Sequence, residues 1–185
     1  FGVAPDFMDA RINVLWADGP GTILPDTTYY AEDHPQKADL LAKWRKTQED
    51  LLAKFDFAEE EIKDLLDKVL ELDAVFAQYV LSSEESSEYA KLYHPYKWDD
   101  FKALVPELPL ADIFTKLIGQ EPDQVIVPEE RFWQAAKDIY TSANWDKLHA
   151  LLILSAVRNT TPYLTDDIRV LAGAYHRALS GTPQA

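Results

Sequence analysis

Apolar and polar positions change their spacing along the chain. Up to about residue 33 no helical period is present. Ile12, Asn13, Val14, Leu15 and Trp16 mix β-branched and aromatic residues and predict a short strand. Asp18, Gly19, Pro20 and Gly21 then force a turn. From Pro35 the period becomes helical, with proline suited to a first turn that does not need its N–H. Leu41, Trp44, Leu51, Leu52 and Phe55 form one apolar face, interrupted by Thr47 and Gln48. Asp56, with Glu59 three positions on, predicts a capping box and a new helix. Ile62, Leu65, Leu66, Val69, Phe76, Tyr79 and Val80 continue at i, i+3, i+4 and i+7. The short connection predicts an antiparallel pair.

Residues 82–87 are a polar, acidic break and the best candidate for a mobile loop. Residues 98–104 and 109–118 predict two short helices separated by Pro106 and Pro109, with Gly119 ending the second. Val125, Ile126 and Val127 predict a further strand. Pro128, Glu129 and Glu130 open a third long helix, their charge favoured at the positive end of its dipole. Phe132, Trp133, Ala136, Ile139 and Tyr140 give it a buried side. Asn144 is placed to cap the next helix, and residues 148–157, apolar on nearly every side, predict a central buried one. Thr165 caps a last helix that turns Ile168, Leu171, Ala172, Tyr175 and Leu179 inward and stops at Gly181. The fold class is therefore mainly α: a multi-helix lobe with one or two short strands, near the N-terminus and before the third long helix. It divides into a strand-and-turn entry (1–33), a helical hairpin (34–81) and a helical remainder (98–181).

Composition narrows the partners. The 185 residues, 47% of them hydrophobic, suffice for one domain or one lobe of something larger. Asp and Glu number 32 against 18 Lys and Arg, a net charge of -14, which repels nucleic-acid phosphates and anionic membranes. No nucleic-acid partner and no membrane contact are expected of this segment. With no cysteine there is no disulfide and no thiolate–metal site within it, which fits a reducing compartment. The longest apolar run, Ala150, Leu151, Leu152, Ile153 and Leu154, is far short of a membrane span. A start at Phe1 and a tail of Gly181, Thr182, Pro183, Gln184 and Ala185 give the expectation of a piece of a longer chain.

Candidate chemistry is sparse. His34, His94, His149 and His176 show no i, i+4 pair and no glutamate in the HExxH order. Each reads as a packed, surface or loop histidine, not a zinc ligand. GxSxG, a phosphate loop and a dinucleotide fingerprint are absent. The carboxylate pairs Asp99–Asp100, Glu129–Glu130 and Asp166–Asp167 stand at predicted helix starts, where the macrodipole accounts for them. An enzyme working through two acids remains an open third reading, with nothing to select the pair. The five tryptophans are dispersed on apolar faces and read as core.

One segment carries a recognisable pattern. Gly21, Thr22, Ile23, Leu24, Pro25, Asp26, Thr27, Thr28, Tyr29 and Tyr30 resemble the "gLgLP-x-R-x-YY" signature of the N-terminal lobe of neprilysin-like zinc endopeptidases. Val69, Glu71 and Leu72 are similar to that family's helix ending in "E-x-x-L/I-A". Tyr93 and His94 fall where the family has Tyr-Asn; Gln124 to Val127 resemble its short "d-v-v-v" strand, and Leu179 to Thr182 its "L-x-G-t". Thr27 stands where arginine is common and His94 where asparagine is, so contacts made at those two positions do not carry over. The cysteine-free composition resembles the bacterial oligoendopeptidase (PepO) type.

The resemblance, which spans about residues 12–183, implies a non-catalytic helical lobe that closes a chamber over an active site outside this segment. It implies zinc in the full-length parent and none here. The implied partners are the parent's own catalytic lobe and oligopeptide substrates. The parent is expected to be a bacterial, cytoplasmic protein, with an exported form left open. No catalytic, cofactor-binding or metal-binding residue is carried over to this chain. The alternative is a stand-alone helical protein-interaction module without catalysis.

Overall fold

The computed structural model describes residues 1–182. The order of elements is β1 (Gly2–Pro5), β2 (Asn13–Trp16), α1 (Lys37–Leu52), α2 (Glu59–Phe76), α3 (Ser83–Ser86), β3 (Pro95–Lys97), α4 (Trp98–Lys102), α5 (Leu110–Ile118), β4 (Gln124–Ile126), α6 (Glu130–Ile139), α7 (Trp145–Thr160), α8 (Asp166–Ala172) and α9 (Ala174–Ser180), with short 3-10 turns between. The class is mainly α, as the periodicity predicts. The strands are four among the described residues, not one or two, and form a single sheet. β3 has neither alternation nor an apolar run, and β1, though apolar at Val3 and Ala4, consists otherwise of Gly2 and Pro5, which are depleted in strands.

Two compact units share the chain, each assembled from two separated stretches. Unit 1 takes Phe1–Gly21 and Gln78–Asn144. Its sheet runs β1-β2-β4-β3. β1 and β2 are antiparallel, while β2 lies parallel to β4, with Leu15 opposite Val125 and Trp16 opposite Ile126. β3 closes the other edge antiparallel to β4, Tyr96 opposite Val125. Val14, Trp16 and Ile126 are buried together, and Ala4 and Tyr93 pack on them. A layer of rings continues the core: Trp98 meets Phe114 edge-on at 4.9 Å and Phe101 meets Trp133 edge-on at 4.9 Å. Edge-to-face contact is the favoured aromatic geometry. Trp133 also donates its indole N–H to the Ala17 carbonyl at 2.9 Å, which satisfies both buried groups.

Three local expectations in this unit are corrected. Residues 82–87 are not an irregular loop: they contain α3, which Ser82 caps by accepting from the Glu85 N–H while the Glu85 carboxylate accepts from the Ser82 N–H. The serine–glutamate spacing is itself a capping box, and no apolar run follows it to mark a helix. Asn144 does not cap the helix after it. Its side-chain amide donates backwards to the carbonyls of Asp138 and Ile139, at 3.2 and 3.0 Å, and satisfies the end of α6. Tyr140 is the C-cap of α6 and not one of its helical residues. Gly119 ends α5 with φ of 82°, a left-handed conformation that favours glycine.

Unit 2 takes Thr22–Ala77 and the chain from Trp145 onward. Its core joins Trp44 and Leu52 of α1, Ile62, Leu65, Leu66 and Val69 of α2, Ala150 and Leu154 of α7, and Tyr175 of α9. α1 touches α2, yet the main partner of α2 is α7, and α1 packs on α8 and α9. α1 turns Leu40 fully inward along with Thr47 and Gln48, so the apparent interruption of its apolar face lies in the core. The Thr47 hydroxyl donates to the Lys43 carbonyl at 2.9 Å, which meets its hydrogen-bonding need there.

Here too the sequence reading needs correction. Asp56 does not cap α2; it ends the preceding turn with φ of 61°. Asp tolerates that left-handed conformation better than most residues. The first turn of α2 is closed by the Glu61 carboxylate accepting from the Ala58 N–H at 2.9 Å. The last predicted helix is two, α8 and α9, divided at Gly173. Of its expected inward residues only Tyr175 is fully buried, and Leu179 is exposed. Thr165 does stand at the N-cap of α8, with extended backbone, but its hydroxyl donates to the Asp167 carboxylate at 2.5 Å and makes no side-chain bond to the helix backbone. α7 is not a central buried helix, for it buries only Ala150 and Leu154.

Candidate functional site

The segment from Gly21 to Tyr30 is the most distinctive stretch of the sequence, and its part in unit 2, from Thr22 on, folds around one buried carboxylate. Asp73, on the inner face of α2, is 6% exposed. One of its oxygens accepts from the Ile23 N–H at 2.8 Å. The other accepts from the Tyr30 hydroxyl at 2.5 Å. That hydroxyl in turn accepts from the Leu24 N–H at 3.1 Å, and Lys37 donates to the Tyr30 carbonyl at 2.6 Å. From α9, Tyr175 donates to the Ile23 carbonyl at 2.8 Å. Leu24 itself is 1% exposed. The Leu-Pro and Tyr-Tyr elements therefore act together: the leucine fills the core while the second tyrosine closes the loop onto Asp73.

The electrostatics are those of a structural lock. Burial raises the Asp73 pKa, and the Tyr30 hydroxyl and Ile23 N–H pull the other way. The Tyr30 phenol is raised by burial first and by its bond to Asp73 second. Tyr175 is pushed up to about 12, again chiefly by burial. Proton release from either phenol is thus disfavoured, and both act as fixed donors. Asp73 was legible as a polar residue on the apolar stripe of α2, four positions after Val69 and three before Phe76.

The histidines are dispersed. His34 packs its ring on Tyr29 at 4.1 Å, and His149 stacks on Trp145 at 5.4 Å. His94 Nδ1 is 3.1 Å from the Val127 carbonyl oxygen, which can only accept, so Nδ1 carries the proton. The Val127 N–H returns a bond to the His94 carbonyl at 2.9 Å, extending the β3–β4 ladder. His94 Nε2 lies 3.7 Å from Glu130, whose other oxygen accepts from Tyr96 at 2.6 Å. Among the described residues no group of three or more His, Cys, Asp or Glu is arranged to hold a metal ion.

The acidic pairs serve local structure. Asp99 pairs with Lys102 at 3.0 Å, and Asp166 with Arg169 at 2.6 Å. Glu129 accepts from the Leu81 N–H at 2.8 Å, and burial raises its pKa. A second buried carboxylate, Asp6, went unmarked in the sequence. It accepts from the Met8 N–H at 2.7 Å and from the Tyr93 hydroxyl at 3.0 Å, which ties the β1–β2 connection to the rest of unit 1. Unit 1 also bears an apolar groove of about 930 Å³, lined by Val3, Ile12, Val14, Ile113, Phe114 and Leu117 among others. Nothing in it is arranged as nucleophile, base or electrostatic clamp.

The model for the N-terminal part of peptidase family M13 matches residues 1–185. This chain belongs to peptidase family M13. A protein of Streptococcus gordonii, whose name describes a zinc metalloproteinase in the scaA 5′ region, is 96% identical over 185 residues. The neutral endopeptidase of Lactococcus lactis subsp. cremoris is 38% identical over the same length. All of this chain is covered in both matches, but only 33% and 29% of the two relatives. The crystal structure of PepO from Lactobacillus rhamnosis HN001 superposes with a TM-score of 0.92 at 28% identity, covering 100% of this chain and 29% of that one. The fold is also that of the Mycobacterium tuberculosis zinc metalloprotease Zmp1 in its open state, with a TM-score of 0.80 at 19% identity, over 99% of this chain and 29% of that one. The M13 assignment agrees with the neprilysin-like resemblance of the Leu24-Pro25 to Tyr29-Tyr30 segment.

Proposed function

We propose that this chain is the non-catalytic helical part of a zinc-dependent endopeptidase that cleaves oligopeptides. Its role is to wall a chamber and restrict access to an active site carried elsewhere in the parent. The observation that carries the reading is the family match along the whole chain, together with a chain length of about a third of the relatives. The names of those relatives, zinc metalloproteinase and neutral endopeptidase, support the activity proposed for the parent. The parent's zinc would be held by residues outside this segment. Chemistry of that kind needs a preorganised metal site, whereas a chamber wall needs only shape and a stable scaffold. The partners proposed are the catalytic lobe of the same polypeptide and oligopeptide substrates, in a cytoplasmic bacterial setting.

The test uses the full-length parent. Zinc is measured per chain, and cleavage is followed for a series of peptides of increasing length and for a folded protein. The expected result is zinc-dependent cleavage that fades with substrate size and spares the folded protein. Metal-free protein that cleaves nothing would overturn the enzymatic reading. Equal cleavage of short peptides and folded protein would overturn the chamber.

A further inference from the structure

The outer face of α7 carries apolar groups where a solvated helix carries polar ones. Trp145, His149, Leu152 and Ala156 recur at i, i+4, i+7 and i+11, a single stripe of an α-helix. All four are exposed, Trp145 to 56% and Leu152 to 59%. The inner stripe, with Ala150 and Leu154, is already buried in the core of unit 2. Just past the helix end Tyr163 is 88% exposed. A helix that is apolar on opposite sides is stable when covered on both. Contiguous exposed apolar groups of this kind mark interaction surfaces.

The stripe is also built as an anchor. The Trp145 ring lies on the His149 ring, centroids 5.4 Å apart and planes 20° apart, so the indole is held in place before anything binds. Tryptophan held in this way is a typical centre of binding energy. Of the Asp, Glu, Lys and Arg side chains of α7 only Asp146 flanks the stripe, since Lys147 and Arg158 fall on the far side of the helix, and Leu148, Ser155 and Ala156 around its middle carry no charge. A net charge of -14 works against a second copy of the same chain. The length of polypeptide outside this structure supplies an occupant: the 96%-identical relative is about three times as long as the stretch it shares. A stripe at helical spacing accepts another helix, ridge into groove.

We propose that the outer face of α7 is the seat of a helix from the rest of the same parent polypeptide, with Trp145, His149 and Leu152 as its anchors. This rests on the reading of the chain as part of a longer endopeptidase. It is tested on the full-length parent by hydroxyl-radical footprinting with mass-spectrometric readout at Trp145 and Leu152. Both residues should be oxidised at least ~10-fold more slowly than in the urea-unfolded chain, at every protein concentration. Oxidation at the unfolded rate overturns the proposal. Protection that grows with protein concentration overturns it too, and assigns the face to a second copy. A Leu152→Cys variant of the parent, titrated with a maleimide, gives an independent readout and should label only on unfolding. Zinc content and peptide cleavage are measured on the same preparation. A zinc-loaded, active parent without protection overturns this inference alone, whereas a protected parent with neither zinc nor cleavage overturns only the reading beneath it.

Discussion

The hydroxyl of Tyr30 meets the carboxylate of Asp73 at 2.5 Å, forty-three positions apart, and holds the Leu-Pro segment against α2. Hydrogen bonds to charged groups contribute about 1.5–3 kcal/mol, and an orphaned buried partner costs a similar amount. Tyr30→Phe removes the donor to Asp73 and the acceptor for the Leu24 N–H together. It should lower stability by about 2 kcal/mol, and Asp73→Ala by at least as much. Urea unfolding of each variant checks this, with the slope of the transition expected to stay constant.

The same carboxylate gives a pH dependence with a definite sign. Its pKa in the folded chain is raised above the ordinary value of 3.8, with burial as the leading cause. The native state therefore holds that proton longer than the unfolded one, and the stability it contributes is fully present below pH 3.8. It is lost as pH rises through the folded pKa. Asp73→Asn removes this ionisation. The stability difference between wild type and Asp73→Asn should thus shrink from acid to neutral pH, in unfolding curves taken across that range. Glu129, also raised by burial, should behave with the same sign in Glu129→Gln.

Gly19 is required by space. A Cβ there would sit 2.8 Å from Cγ and 3.1 Å from Cβ of Glu129, whose carboxylate is anchored to the Leu81 N–H. Gly19→Ala should destabilise by about 1–3 kcal/mol, the usual cost of forcing extra volume into a packed site. The double variant with Glu129→Ala should cost less than the sum of the two single changes. Thermal unfolding of the four proteins gives the coupling.

Asn144 separates two kinds of cap. Because its amide donates to the carbonyls of Asp138 and Ile139, Asn144→Ala should cost about 1 kcal/mol. Asn144→Asp should cost more, since a carboxylate facing two carbonyls has no proton to give. An N-terminal cap of α7 would show the opposite order, Asp being favoured there. Chemical denaturation of the two variants distinguishes them.

Much of the fold was legible because long helices announce themselves. The spacing of Ile62, Leu65, Leu66 and Val69 marks the core face of α2, and Gly119 marks the end of α5. What the sequence hid is non-local. β1 and β3 lie at the edges with mostly exposed side chains, so no hydrophobic pattern is imposed on them. The direction of the Asn144 side chain is equally silent, since the same residue type caps either end. α7 misled for a different reason: its all-round apolarity is real, but only the Ala150 and Leu154 side is covered in this structure. As for the site, the missing HExxH and the Leu24-Pro25 to Tyr29-Tyr30 spacing could be read directly. That Asp73 gathers this segment could not, because it depends on a helix fifty positions away.

The parallel pairing of β2 with β4 sets a timetable for the growing chain. Leu15 leaves the ribosome early, yet its partner Val125 follows only after all of α1 and α2 has been made. In the interval β2 has only the β1 hairpin, and a two-stranded hairpin is marginal by itself. Closing so long a loop delays the sheet further. Unit 2 waits as well, since α2 meets its main partner α7 only after unit 1's second stretch has been synthesised. Unit 1 is therefore complete in sequence at Asn144, before α7 of unit 2 has been made. Until α7 has emerged, the unfinished apolar face of α2 in unit 2 is the one a chaperone would hold.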